Sequence, residues 1–212
     1  RLFHGGSTLD PLTSSPAPDA TTIPRLIGWD DRGPVLLADG VIGIQGFTPG
    51  TDHPLGHLEG LDPATGAVSD AIGGSDCQAW AENPDGTVLC GEANATSGVS
   101  NVSVRSRDGS ILWDPPVPAS NALLRLAPDG AHISDSGGAG EILGRDGSRI
   151  PLDADVYPIA WIDASTVIVR DLRGTPCTEN DIDQPLALVH IAQPHTVVPL
   201  GLCGDVTAVS PG

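Results

Sequence analysis

The sequence predicts an all-β fold built from one unit that recurs along the chain. Three observations predict it. A tight turn returns in the same setting, as Asn83-Pro84-Asp85-Gly86 and as Ala127-Pro128-Asp129-Gly130, each between short apolar runs. β-Branched runs such as Val167-Ile168-Val169 and Val197-Val198 suit a pleated sheet. Gly (27) and Pro (20) are dense enough in 212 residues to break any long helix, and no window carries a helical period.

The unit is a pair of hairpins. Its first turns end at Gly33, Gly86, Gly130, Ser165 and Gly212, spaced by 53, 44, 35 and 47 residues. Its second turns are Asp62-Pro63-Ala64-Thr65-Gly66, Arg107-Asp108-Gly109-Ser110, Arg145-Asp146-Gly147-Ser148 and Gln193-Pro194-His195. Asp-Gly between alternating apolar residues is a hairpin signal, because both central positions favour positive φ. Ser103-Val104-Arg105 and Ile142-Leu143-Gly144 lead into second turns as strands. Ahead of the repeats, residues 1–24 form an N-terminal extended segment. Within it Leu2-Phe3-His4 and Ser7-Thr8-Leu9 are candidate strands, and residues 10–24 are rich in Pro, Ser, Thr and Ala. Trp29, Trp80 and Trp161, with Leu126 in the third unit, precede the first turns and are expected to form core between units. A unit of this period cannot bury its apolar face alone and must stack on its neighbours.

On the Pro-Asp-Gly turn after the first strand, residues 25–212 resemble a β-propeller of the TolB-like or WD-repeat-like kind. The turn is intact at Ala127–Gly130, stands as Asn-Pro-Asp-Gly at 83–86, and is cut short at Ser210-Pro211-Gly212. Units one and four depart from it, with Asp30-Asp31-Arg32-Gly33 and Asp163-Ala164-Ser165, and no Trp-Asp signature recurs at the closing of the blades. The resemblance implies four complete four-stranded blades and a fifth closed by both termini, or else a larger propeller cut short. It implies nothing about activity, because this architecture hosts many chemistries.

Composition narrows the function classes. The formal net charge is −17, with ten Arg and no Lys. A nucleic-acid partner is excluded by the lack of a basic surface, whereas cations or basic partners would be attracted. A membrane could be met only through a segment outside this chain, since no apolar run is long enough to span one. Four Cys are expected to pair as Cys77–Cys90 and Cys177–Cys203, which would place the protein in an oxidising, extracytoplasmic compartment, secreted or membrane-anchored. The absence of Lys beside abundant Ala, Gly, Asp and Arg points to a bacterial source. Four reduced core thiols are the alternative.

The candidate site rests on acids in equivalent places. Asp39, Glu92, Asp135 and Asp171 follow the turn residue by 6, 6, 5 and 6 positions, at the expected ends of second strands. Links between units add Asp70, Asp76, Asp114, Asp153, Asp155 and Asp205. On a flat blade these acids share one side, opposite both hairpin turns. They would form either an acidic ligand-binding rim or a set of side chains accepting hydrogen bonds from their own loops. Insertions around 43–57 and 171–185 lengthen the same side, with His53, His57, Asp181 and Asp183 as further candidates. No cofactor is required. The acids at 179–183 offer oxygen ligands suited to Ca²⁺, and His53 and His57 lack the spacing of a transition-metal pair. The expected function is a non-catalytic binding module engaging a protein or cell-envelope ligand through the acidic side. The alternative is a glycosidase, lyase or lactonase using channel carboxylates.

Overall fold

The computed structural model describes residues 2–4, 10–13, 25–37, 57–62, 64–94, 98–117, 124–137, 140–174 and 185–204. Among them every regular element is a strand. Strands β1 (Leu2–His4) and β2 (Asp10–Thr13) pair antiparallel as a separate two-stranded sheet. The first four-stranded sheet holds β3 (Arg25–Asp30), β4 (Gly33–Leu37), β5 (Leu58–Leu61) and β6 (Val68–Ile72). The second holds β7 (Ala79–Glu82), β8 (Val88–Asn94), β9 (Gly98–Arg105) and β10 (Ile111–Trp113). The third holds β11 (Leu124–Leu126), β12 (His132–Asp135), β13 (Glu141–Gly144) and β14 (Arg149–Pro151). The fourth holds β15 (Val156–Asp163), β16 (Thr166–Asp171), β17 (Pro185–His190) and β18 (Val197–Cys203).

Each of these four sheets is an antiparallel meander in chain order, so the hairpin-pair unit read from the sequence is the structural unit. The two Pro-Asp-Gly turns close in the same way. Gly86 N donates to Asn83 O and Gly130 N to Ala127 O, with the glycines at φ +82° and +63°, a region costly for any residue with a Cβ. One difference lies at the N-terminus. The second strand there is Asp10–Thr13, inside the stretch read as a linker, while residues 7–9 lie outside the described residues. Leu12 and Thr13 suit a strand, and Pro11 is tolerated because a two-stranded sheet has only edges. Among the described residues no sheet combines strands from both ends of the chain.

The sheets stack in sequence through three apolar seams. Val35, Leu58 and Ile72 of the first sheet meet Ala79, Val88 and Cys90 of the second. Leu89 and Val104 of the second meet Leu124, Leu126 and Ile133 of the third. Ala127, Ile142 and Leu152 meet Val156, Trp161, Val167, Val169, Ala187 and Val189 of the fourth. Period-2 alternation gives the second and third sheets two apolar faces, one for each neighbour: Leu126 joins the seam behind it and Ala127 the seam ahead. The first strands approach one another, β7 beside β11 and β11 beside β15. Hydrogen bonds cross at the same level. Asp31 N donates to Pro84 O (2.7 Å) and Asn83 Nδ2 to Ala127 O (2.8 Å), linking three successive first turns. Trp113 and Trp161 donate their indole N–H groups to Gly130 O (2.9 Å) and Arg125 O (3.2 Å) of adjoining sheets. The core role expected of Trp161 is therefore met. The side chains of Trp29 and Trp80 lie outside the described residues.

Cys77 and Cys90 are bridged, with Cα atoms 5.1 Å apart, and the bridge is buried in the first seam. The Cys77–Cys90 pairing read from the sequence holds, although the two are not cross-strand partners. Cys90 lies opposite Ala79, because the turn centres on Asp85 and the ladder shifts between Ala79 and Ala81. Cys77 thus sits on the link just ahead of β7 and ties that link to β8. Cys203 is also disulfide-bonded; Cys177 lies outside the described residues. Replacing Cys77 and Cys90 together by Ala is expected to cost about 2–3 kcal/mol, near the chain-entropy value for so short a loop. Urea unfolding of the oxidised protein and the double variant checks this, and coincident midpoints would contradict it.

Candidate functional site

The recurrent acids do a common job. In eight described places an Asp Oδ1 accepts the backbone N–H two residues ahead: Asp62 from Ala64, Asp85 from Thr87, Asp108 from Ser110, Asp129 from Ala131, Asp135 from Gly137, Asp146 from Ser148, Asp163 from Ser165 and Asp171 from Arg173. This closes a small ring that mimics a backbone turn, which is why Asp recurs wherever this chain reverses. Hydroxyl and amide hydrogen bonds within their own turns hold Asp62, Asp108, Asp146 and Asp163 below the usual carboxylate range. Much of the acidity thus builds the turns.

Two acids of the candidate set are described in full, and they differ. Asp135 ends β12 and is 1% exposed. Burial raises its pKa, Gly137 N (2.7 Å) opposes that, and Glu141, its cross-strand neighbour, adds to the rise. Glu141 is taken up by the guanidinium of Arg149 through bonds of 2.6 and 3.1 Å. Asp171 ends β16, half-buried, and bonds Arg173 Nε at 2.7 Å; that bond is the main cause of its lowered pKa. Glu92 has its backbone in β8 opposite Ser100. Asp39, His53, Asp181 and Asp183 lie outside the described residues, as do residues 179 and 180.

The structure adds groups to Asp171 that the sequence did not single out together. Arg173 also bonds Asp153 (2.6 Å), and Asp153 receives His195 Nδ1 at 2.7 Å. His195 and Arg173 in turn hold Asp153 below its usual pKa. A second cluster is built alike. Arg105 Nη1 bonds Asp76 at 2.8 Å and Gly73 O at 3.2 Å, and His57 lies close enough to Asp76 to favour its ionised form. In each cluster an acid on the link entering a sheet meets a residue at or beside that sheet's second turn. This overturns the flat-blade expectation that both hairpin turns stand away from the links. Strands in a sheet twist relative to one another, and over four strands the rotation swings the outer turn onto the incoming link. No spacing rule pairs Arg105 with Asp76 or His195 with Asp153; the link acids and an all-Arg set of cations were the only sequence signals.

Among the described residues, no three His, Cys, Asp or Glu side chains are placed to hold a metal ion. Their charged side chains cluster where sheets join, in arginine-bridged groups suited to holding links and to presenting surplus negative charge. Comparison with family models, curated proteins and solved structures finds no match for this chain.

Proposed function

We propose that this chain is a β-propeller of the TolB-like or WD-repeat-like kind, acting outside the cytoplasm as a non-catalytic module whose acidic surface binds a basic face of a protein or cell-envelope ligand. The fold reading is supported by four like meanders that share seams, with the first strands of the second, third and fourth side by side. The buried Cys77–Cys90 bridge fits an oxidising compartment. One observation carries the binding reading. The chain has 27 acids against ten Arg, and Arg105, Arg149 and Arg173 are already committed to internal ion pairs. The surplus charge is therefore left facing solvent, where it steers cationic partners. The insertion around 171–185 carries Asp181 and Asp183 in sequence, and its first residues, Asp171 and Arg173, belong to the cluster with Asp153 and His195.

The immobilised protein is expected to retain a partner from its native envelope fraction at 0.1 M salt and to release it towards 1 M, as the Debye length falls from about 10 to about 3 Å. Asp181→Asn with Asp183→Asn should weaken retention several-fold at unchanged melting temperature. Retention indifferent to both salt and these substitutions would overturn the reading.

A further inference from the structure

One residue stands four positions before the end of each first turn in the sequence: Trp29, Glu82, Leu126 and Trp161. In the third and fourth sheets it faces the sheet behind. Leu126 and Trp161 are each 6% exposed and fill the second and third seams. Glu82 holds the same station in the first seam. It lies directly opposite Val88, a fully buried member of that seam, and the next residue, Asn83, turns its amide the other way, to the third sheet. Strand alternation thus aims the Glu82 carboxyl at the first sheet. Its Oε1 is buried and accepts no hydrogen bond. A carboxyl stands where the repeat otherwise places a large apolar group.

We propose that Glu82 makes the seam between the first and second sheets proton-sensitive, closed while its carboxyl is neutral and loosened when it ionises. A neutral carboxyl is tolerated beside apolar neighbours far better than an unpartnered anion. The surroundings favour the neutral form. Burial, and then the Asp85 charge on the adjacent turn, push Glu82 up to about 7. From the first sheet, the β3–β4 turn brings Asp31 and Arg32, both exposed, and Asp31 is tied by its backbone N–H to Pro84 O. From β8 the facing residue is Val88. From the β9–β10 turn the Arg107 side chain runs past Gly86 and carries its guanidinium to Gly60 of the first sheet, and the groups that act on the Glu82 charge are burial and Asp85. From β11 the charged residue is Arg125, whose guanidinium bonds Leu124 O.

The sign follows from linkage. A free Glu side chain titrates near 4.5, so below that value the open and closed seams are both protonated. Between there and about 7 the open form loses its proton first, and closure weakens as pH rises; above about 7 the loss is complete. The full change in the opening equilibrium is on the order of 100-fold, allowing for partial exposure of the carboxyl.

Amide hydrogen exchange from pH 5 to 8, corrected for intrinsic rates, tests this on the whole chain. The Asp31 amide, which bridges the seam, should lose protection on the order of 100-fold across that range in the wild type. In Glu82→Gln its protection should be flat, and in Glu82→Leu flat and higher at pH 8. Asp135 is also raised by burial, but it sits in the third sheet and would show at β12 and β13 amides instead. A wild-type Asp31 amide with no pH dependence, or the wild-type slope persisting in Glu82→Gln or Glu82→Leu, would overturn the proposal.

Discussion

Gly73→Ala is expected to destabilise the chain by about 2–5 kcal/mol, through two separate costs. Gly73 opens the link between the first and second sheets at φ +82°, where a residue with a Cβ loses about 1–2 kcal/mol. The space is also taken. A Cβ there would stand 2.5 Å from Val88 Cγ1, 2.8 Å from Cys77 Sγ and 3.1 Å from Cys90 Sγ. Retreat is blocked by the backbone, since Gly73 N donates to Arg107 O (2.9 Å) and Gly73 O accepts from Arg105. Overpacking of this kind costs about 1–3 kcal/mol. Urea unfolding gives the total, and a double-mutant cycle divides it. With Cys77 and Cys90 both replaced by Ala, two of the three obstructing atoms are gone and the penalty should shrink, leaving the backbone cost and the contact with Val88. A penalty below about 1 kcal/mol in the oxidised protein would mean that the link is free to shift, contrary to its packing.

This glycine marks the boundary of what the sequence discloses. Local chemistry was legible. The Pro-Asp-Gly and Asp-Gly turns fall where DG pairs and alternating apolar residues put them, and they divide the chain into its four meanders. The Cys77–Cys90 pairing was legible because a hairpin brings near neighbours together; its register was not, because a ladder shift beside Trp80 moves the strand by a residue. The same shift hid Glu82. Trp80 is the large apolar residue ahead of the second unit's first turn, although the residue four positions before Gly86 is Glu82. What twist and stacking decide was not legible at all. Arg105–Asp76 and His195–Asp153 join residues 29 and 42 positions apart, and no motif encodes a contact made by rotating an outer strand. The acids at second-strand ends were found, yet the sequence could not say that Asp135 would be buried and Asp171 bridged, because burial depends on which sheet lies against each end.

Trp161→Ala should cost about 3–5 kcal/mol, the range for emptying a large aromatic site in a core. Trp161 is 6% exposed, faces Val167 across the β15–β16 ladder and sits in the largest of the three seams. Its indole N–H donates to Arg125 O at 3.2 Å, and its ring lies 6.2 Å from that of His132 on the preceding sheet. The side chain thus seals the third sheet to the fourth by area and by one polar bond. Trp161→Phe separates the two. It keeps most of the buried area and loses the N–H, so it should cost about 1–2 kcal/mol, with the Arg125 carbonyl stripped of its indole donor. Because each sheet buries its faces only on its neighbours, damage at one seam is felt most by the sheets on either side. Amide protection in β15 and β16 and in β11 and β12 should therefore fall in Trp161→Ala, while Cys77, Val88 and the first seam keep theirs. If the first seam loosened equally, the sheets would be unfolding as one body, and Glu82 could not act on its own seam alone.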